Sequence, residues 1–255
     1  MPPLRFQVHQ IVKGQPWRGP GGQKTQPNLS LHGVTTDGRS ITLIVPGFRP
    51  YFYVALKPNE DASTLDTEAF KTQLQALMEE DGAANAPSAW PYSPRLHVTD
   101  ISLQAPRFDM TNAFERQPFL RVELAVPNDV YGALHCLPRM GYTSFFESHI
   151  PYDLRYATDI GLMGAGWAEA DTDQLRDASG FAPSTAELTY VARHPQVVKG
   201  IEGAGLGLAK MRVLSFDLET LGLDPKHHEI IQISAVECAL DGSISKKHLF
   251  AKGTC

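Results

Sequence analysis

The sequence predicts an α/β protein in which an α+β module over residues 1–200 precedes the first strands of a second unit over residues 201–255. Two observations support this division. Strand alternation dominates the first 200 residues and helical spacing occurs in only a few segments, a mixture typical of α+β folds. Residues 199–210, KGIEGAGLGLAK, contain four glycines and indicate a boundary or a flexible crossing segment, after which clean strand patterns resume.

Hairpin signals organise the strands of the first module. Residues 4–12 and 29–36 alternate apolar and polar side chains, as half-buried strands do. Asp37-Gly38 is the strongest short hairpin signal in the sequence, and it leads into SITLIVPGFRPYFYVAL, which holds two β-rich runs. We therefore expect antiparallel pairing in this module. Further strand patterns occupy residues 96–104, 119–126, 212–219, 229–238 and 243–250.

Two helices are expected within the first module. Ser63 followed by Asp66 resembles a capping box, and apolar residues recur at helical spacing after it. Residues 82–94 are rich in Gly, Ala and Pro and are expected to form a loop. Asn128 is expected to cap the second helix, which should end before Gly141.

The composition indicates an ordinary globular protein and excludes several classes. Hydrophobic residues make up 42% of the 255 residues and charged residues 20%, and no run approaches the roughly 18 apolar residues of a membrane span. The three cysteines are far apart, which indicates neither a zinc site nor a disulfide framework, so a reduced, intracellular protein is expected. The net charge of −5 argues against a general polyanion binder, but not against an enzyme that meets DNA at one small acidic, metal-loaded site.

Two carboxylates stand near the end of the strand pattern at 212–219. Asp217 and Glu219 are two residues apart, so their side chains share one face of a strand, with Cα atoms roughly 6.5 Å apart. Such oxygen ligands suit Mg²⁺ or Mn²⁺, and two of these ions can support phosphodiester hydrolysis. A strand that simply runs into an acidic, solvated turn would show the same spacing. The opposite face carries three apolar side chains that can anchor the strand in a core: Leu214, Phe216 and Leu218.

Several segments resemble family B DNA polymerases, and they occur in that family's order. FDLETLGLDPKHHEIIQISAVE resembles the first exonuclease motif of DEDD-type 3′–5′ exonucleases, which has D-x-E, then T-x-G-L and I-I-x-I. GVTTDGRSITLIVPGFRPYFYVAL, PFLRVELAVP and FFESHIPYDLRYATDIGLMGAGWAEA resemble successive N-terminal landmarks of the family, most like its delta-type branch. MRVLSFDLE resembles the entry to the proofreading domain, whereas TLGLDP is closer to stand-alone DEDD exonucleases.

The resemblance implies an RNase H-like exonuclease fold that begins in residues 201–255. In such a site Asp217 would bridge two Mg²⁺ or Mn²⁺ ions and Glu219 would hold one of them, while Thr220 and Leu221 would lie against the 3′-terminal nucleotide of a mispaired primer. The implied partners are primer and template DNA, accessory polymerase subunits and a sliding clamp, with no membrane. The implied location is the nucleus in a eukaryote and otherwise an unspecified intracellular one.

Only part of this machinery is expected in the chain. The later exonuclease motifs, N-x-x-x-F/Y-D and Y/H-x-x-x-D, are not found between residues 220 and 255, and the D-T-D and S-L-Y-P-S-type motifs of the polymerase palm are also missing. We therefore expect an N-terminal piece of a longer polymerase, whose activity by itself is uncertain. A stand-alone DEDD exonuclease with an N-terminal extension and a non-catalytic nucleic-acid-binding module are the alternatives.

Three other groups of residues allow both a functional and a structural interpretation. Four aromatic residues could stack bases, but their alternation favours core packing: Phe48, Tyr51, Phe52 and Tyr53. His227-His228 has no partner at metal-ligand spacing and is expected in a solvated turn. Three lysines are expected at a solvated strand edge, with a DNA backbone contact as the alternative: Lys246, Lys247 and Lys252.

Overall fold

The structure is a computed structural model that describes residues 2–14, 27–85, 98–104, 118–178, 184–201, 212–224, 226–239 and 243–251. The described strands are β1 (Leu4–Lys13), β2 (Asn28–Thr35), β3 (Ser40–Pro46), β4 (Tyr51–Ala55), β5 (Val98–Gln104), β6 (Phe119–Leu124), β7 (Phe145–Phe146), β8 (Trp167–Ala170), β9 (Leu175–Asp177), β10 (Leu188–Ala192), β11 (Val198–Ile201), β12 (Arg212–Thr220), β13 (Ile230–Ala239) and β14 (Ile244–Ala251). The described α-helices are α1 (Thr67–Asn85), α2 (Asp129–Cys136) and α3 (Tyr152–Asp159). The strands form three sheets, which confirms the mixed α/β class.

The largest sheet has seven strands in the order β11-β8-β1-β2-β3-β10-β9. The Asp37-Gly38 turn joins β2 to β3 as predicted, because Gly38 adopts a φ of 89° that favours glycine and its N–H donates to Thr35 O at 3.0 Å. Neighbouring strands pair antiparallel except β3 and β10, which pair in parallel. The expectation of antiparallel pairing is therefore correct for the hairpins and wrong for that one pair of strands.

Two hydrophobic cores stabilise the first module. One lies on the large sheet, where α3 packs against β1 and where Phe6, Leu31 and Tyr156 are almost fully buried. The other fills the space between α1, α2 and a four-stranded sheet of order β5-β6-β4-β7. The four aromatic residues of 48–53 are all buried in these cores, which confirms core packing and leaves them no face for stacking bases.

The beginning of α1 differs from the sequence prediction. The carboxylate of Asp66 accepts hydrogen bonds from the backbone N–H groups of Glu68 and Ala69, at 3.1 and 2.9 Å, so Asp66 caps the helix. The Ser63 hydroxyl instead donates to Asp61 Oδ1 at 2.8 Å, and the capping box predicted at Ser63 is wrong. The Ser63 hydroxyl is therefore bound to the Asp61 carboxylate and does not cap the helix.

The ends of α1 and α2 also refine the prediction. Helix α1 continues to Asn85, so residues 82–85 are helical rather than part of a loop; the rest of that expected loop lies outside the described residues. Alanine favours helix and occupies two of these four positions. The Asn128 side chain makes no capping bond to α2, because its Oδ1 accepts from Lys13 Nζ at 3.3 Å. Gly141, at a φ of 84°, ends the helical turn that follows α2, as expected.

The third sheet has the antiparallel order β12-β13-β14 and confirms the three strands predicted after residue 211. Leu214, Phe216 and Leu218 were expected in a core, yet they are 62%, 65% and 43% exposed. Burial of these side chains requires a second layer, and no described element covers this face. The division between residues 200 and 201 stays a prediction, since residues 202–211 lie outside the described part. No helix among the described residues has the length and apolar character needed to cross a membrane.

Candidate functional site

The two predicted acids lie together on the three-stranded sheet. Asp217 stands directly across from Ser234 and Glu219 directly across from Gln232, so all four side chains occupy the same face. Both acids are exposed, and Gln232 Nε2 donates to Ser234 Oγ at 3.3 Å. We call this side of the sheet the acid face. It presents two carboxylates beside a hydroxyl and an amide, and strand alternation alone accounts for its composition.

The acid face continues onto β14. Leu249 lies across from Ser234, and Lys247 lies across from Val236 on the same face. Lys246 faces the other side, across from Glu237. Both of these lysines are exposed, as expected for a strand edge, while Lys252 lies outside the described residues. One cation of the predicted basic stretch therefore shares a face with Asp217 and Glu219.

A β-bulge interrupts the pairing immediately beyond the acids. Glu219 pairs with Gln232 and Thr220 pairs with Ile230, so Ile231 is an extra residue on β13. A bulge bends its strand and re-aims the neighbouring side chains. No local sequence pattern predicts this bulge, because a bulge depends on how two strands are aligned.

Thr220 and Leu221 lead from the bulge into the turn between β12 and β13. The Thr220 hydroxyl donates to Gly222 O at 2.8 Å, and the Leu221 N–H donates to Glu229 O at 3.1 Å. The Leu221 side chain is 65% exposed and free to contact another molecule. Thr220 and Leu221 therefore follow directly after Glu219, and the Thr220 hydroxyl is already hydrogen-bonded within the turn.

Both histidines make hydrogen bonds within this turn. His227 Nδ1 and Asp224 Oδ2 are 2.6 Å apart, and Asp224 Oδ1 accepts from Lys226 N at 2.9 Å. The hydrogen bond with His227, and then that with the Lys226 N–H, lower the pKa of Asp224. His228 Nδ1 accepts from the backbone N–H of Asp224 at 3.1 Å. These contacts agree with the solvated turn expected for the histidines.

The donors on the acid face fit part of a site for a hard cation. Carboxylate oxygens are the ligands that Mg²⁺ and Mn²⁺ prefer, and both carboxylates are accessible from one side. Within the described ranges, no group of three or more His, Cys, Asp or Glu side chains could hold a metal ion. Asp217 and Glu219 can therefore supply two protein ligands, and a complete site needs further ones.

A second polar cluster lies in the first module and is structural. Arg155 and Glu147 form a buried ion pair, and the Arg155 guanidinium lies 4.5 Å from the centre of the Tyr51 ring. The Arg121 guanidinium lies 4.0 Å from the same ring, and the Tyr51 hydroxyl donates to Asp159 Oδ1 at 2.7 Å. Burial, and then the hydrogen bond to Asp159, raise the pKa of Tyr51. The cluster joins β4 to α3.

Three comparisons with known proteins all find similarity to DNA polymerases. Residues 143–255 match the family model described as DNA polymerase family B, exonuclease domain. The DNA polymerase delta catalytic subunit of Arabidopsis thaliana is 29% identical over 231 residues, which are 84% of this chain and 20% of that protein. The Bos taurus delta catalytic subunit is 26% identical over 261 residues, 92% of this chain and 23% of that protein. The fold is similar to that of a family B DNA polymerase from the hyperthermophilic archaeon Pyrobaculum calidifontis, with a TM-score of 0.64, 23% identity, and coverage of 98% of this chain and 27% of that chain.

Residues 143–255 are therefore similar to the exonuclease domain of family B DNA polymerases. Over a wider span, the chain is similar to delta catalytic subunits from plants and animals, which confirms the resemblance drawn from the sequence motifs. The chain spans about a fifth of the length of these curated relatives.

Proposed function

We propose that this sequence contributes to a proofreading 3′–5′ exonuclease of a family B DNA polymerase, and that Asp217 and Glu219 are two of its metal ligands. One observation carries the proposal. The two carboxylates lie exposed on one face near the end of β12, inside the residues that match the exonuclease-domain family. A solvated acidic turn would explain their exposure, but not their place in that family's domain.

Asp217 and Glu219 would hold two Mg²⁺ or Mn²⁺ ions, together with acids that lie elsewhere in the complete site. When bound, such ions activate water and stabilise the leaving oxygen in phosphodiester hydrolysis. The chain's own contribution is placement. Ser234 and Gln232 stand directly across from the acids, where their hydroxyl and amide N–H groups can donate to carboxylate oxygens and hold them in one orientation.

The substrate under this proposal is the 3′ end of a DNA primer. Two carboxylates repel a phosphate backbone, so DNA would approach this face only when the acids hold cations. Leu221 offers an exposed apolar side chain one residue beyond Thr220, and we assign both residues to contact with the terminal nucleotide. Lys247, on the same face, is positioned to approach a phosphate.

The wider assignment follows from the relatives and is part of the same proposal. Matches that cover 84% and 92% of this chain include the first module, which favours a polymerase over a stand-alone exonuclease with an unrelated extension. We infer that residues 1–200 form the polymerase N-terminal domain and that residues 201–255 begin the exonuclease domain. The complete protein would extend primers on template DNA, work with accessory subunits and a sliding clamp, and act in the nucleus of a eukaryotic cell.

The metal assignment can be tested on the chain itself. Titration with Mn²⁺, followed by electron paramagnetic resonance, should show binding that Asp217→Ala with Glu219→Ala removes. Glu237→Gln is the matched control, because Glu237 lies on the other face of the same sheet and its change should leave that binding intact. Equal Mn²⁺ binding in the double variant and the wild type would contradict the assignment.

Activity can be tested in a fusion polymerase, in which the whole 255-residue chain replaces the matching region of the Arabidopsis thaliana delta catalytic subunit. That relative supplies the polymerase and exonuclease motifs not found in this sequence. Excision of a mispaired 3′ nucleotide should fall by orders of magnitude in the double variant, since metal-dependent water activation and leaving-group stabilisation are lost together. Primer extension should persist and serves as the control for folding. Mismatch excision at a near wild-type rate would refute the catalytic role.

A further inference from the structure

The His228 ring rests directly on the backbone of the turn that follows the acids. A β-carbon at Gly222 would stand 2.7 Å from both Cε1 and Nε2 of this ring and 2.8 Å from Cδ2. Carbon and nitrogen atoms do not approach so closely without displacement. The ring therefore occupies the space that any side chain at position 222 would need, and glycine makes this contact possible.

The same ring also fixes the other half of the turn. His228 Nδ1 accepts a hydrogen bond from the backbone N–H of Asp224 at 3.1 Å, and the His228 N–H donates to Asp224 O at 2.9 Å. A ring nitrogen that accepts a hydrogen bond carries no proton, so the proton of the neutral imidazole is on Nε2. His228 thus contacts Gly222 through its ring face and Asp224 through a defined ring nitrogen.

These contacts connect His228 to the residues that follow the acids. Gly222, on which the ring rests, is also the residue whose carbonyl accepts from the Thr220 hydroxyl at 2.8 Å. The Leu221 N–H donates to Glu229 O at 3.1 Å, beside His228 in the chain. The backbone of 220–222 is consequently held on both sides, by the end of β12 and by the His228 ring.

We propose that His228 is a positioning residue that holds Thr220 and Leu221 in the orientation needed to contact the primer terminus. This role rests on the proposed exonuclease function. Within the described part of the chain, no hydrogen bond or ion pair joins His228 to Asp217 or Glu219, so its effect would act on the turn and through it on substrate binding. Loss of one hydrogen bond and its packing should raise KM for mispaired DNA roughly three- to tenfold and leave kcat within about twofold.

The chain offers a matched control and a conservative variant. His227 is the neighbouring histidine, but its Nδ1 bonds to the Asp224 carboxylate, and the three atoms nearest to a β-carbon at Gly222 all belong to His228. His227→Ala should therefore leave KM unchanged. Asparagine places its Oδ1 at the position that Nδ1 occupies in histidine, so His228→Asn retains an acceptor for the Asp224 N–H. His228→Asn should therefore raise KM much less than His228→Ala does.

Nuclear magnetic resonance on the 255-residue chain tests the geometry without any activity. The ¹⁵N signals of His228 should show an unprotonated Nδ1, and exchange of the Asp224 amide hydrogen should accelerate in His228→Ala but not in His227→Ala. A protonated Nδ1 in the neutral ring, or unchanged exchange in His228→Ala, would overturn the inference.

Kinetics of the fusion polymerase test the functional consequence. Gly222→Ala should displace the ring and mimic His228→Ala, and the double variant should be little worse than either single one, because both changes remove the same contact. A fall in kcat at constant KM would overturn the positioning role. If the wild-type fusion extends primers but does not remove mispaired ends, the exonuclease proposal fails and the positioning role fails with it. The resonance data would still decide whether His228 Nδ1 accepts the Asp224 N–H in this turn.

Discussion

Replacement of Arg155 by alanine should be among the more damaging changes to the first module. The Arg155 and Glu147 side chains are only 6% and 9% exposed, and they form an ion pair in which Arg155 Nη2 also donates to Glu147 O at 3.0 Å. The variant leaves the Glu147 carboxylate buried without its cation and removes the contact with the Tyr51 ring. Loss of one partner of a buried pair costs about 3–5 kcal/mol.

Urea denaturation, followed by tryptophan fluorescence, to which the buried Trp167 contributes, measures this cost. Adding Glu147→Gln to Arg155→Ala should recover part of the loss, because the carboxylate charge is then gone. Arg5→Ala is the control: Arg5 and Glu169 pair at 3.3 Å on the surface, where an ion pair contributes about 0–1 kcal/mol. If Arg155→Ala costs no more than Arg5→Ala, the buried pair does not stabilise the fold as argued.

Two further predictions concern the contact between α1 and α2. The hydrogen bond with His135, and then that from Cys136, lower the pKa of Asp81, so the stability from this carboxylate is present above its unfolded pKa and is lost as pH falls below about 4. Asp81→Asn should make the free energy of unfolding less dependent on pH between pH 5 and 3, as urea titrations at each pH would show; an unchanged dependence would contradict this. Burial, and then the hydrogen bond to Asp81, raise the pKa of the Cys136 thiol to about 11, so iodoacetamide should alkylate it far more slowly than the half-buried Cys238 at pH 8. Mass spectrometry of the native chain would detect the reverse order.

Local features of the fold were predictable from the sequence, and features that depend on distant residues were not. The Asp37-Gly38 hairpin requires only four consecutive residues and one positive φ, and it is present as predicted. The parallel pairing of β3 with β10 joins Ile41 to Leu188, and no local pattern encodes that contact. The short strands β8 and β9 carry too few residues to show alternation and were missed for the same reason.

Helix caps were less predictable than the helices themselves. Ser63 and Asp66 are both good capping residues, and the choice between them depends on which one finds another partner. Asp61 accepts the Ser63 hydroxyl, which leaves Asp66 to cap α1. In the same way Lys13, distant in sequence, holds the Asn128 side chain that was expected to cap α2.

The candidate site shows the same division between local and non-local information. Alternation along β12 is sufficient to place Asp217 and Glu219 on one face, and the structure has them there. The identities of their neighbours across the sheet, Ser234 and Gln232, depend on the alignment of β12 with β13. That alignment changes at Ile231, immediately beyond Glu219. A one-residue difference in pairing would have moved the opposite set of β13 side chains beside the acids.

Side chains alternate between the two faces of a strand, so the acids of β12 have an apolar face behind them. Along β12, Phe216 and Leu218 alternate with Asp217 and Glu219. The apolar side chains therefore lie on the face opposite the carboxylates. A small sheet in water is stabilised mainly by burial of one apolar face. Packing on Phe216 and Leu218 would therefore fix the strand from which both acids project, without any contact with the metal ions. The residues that cover the apolar face would thus determine how rigidly Asp217 and Glu219 are held as metal ligands on the acid face.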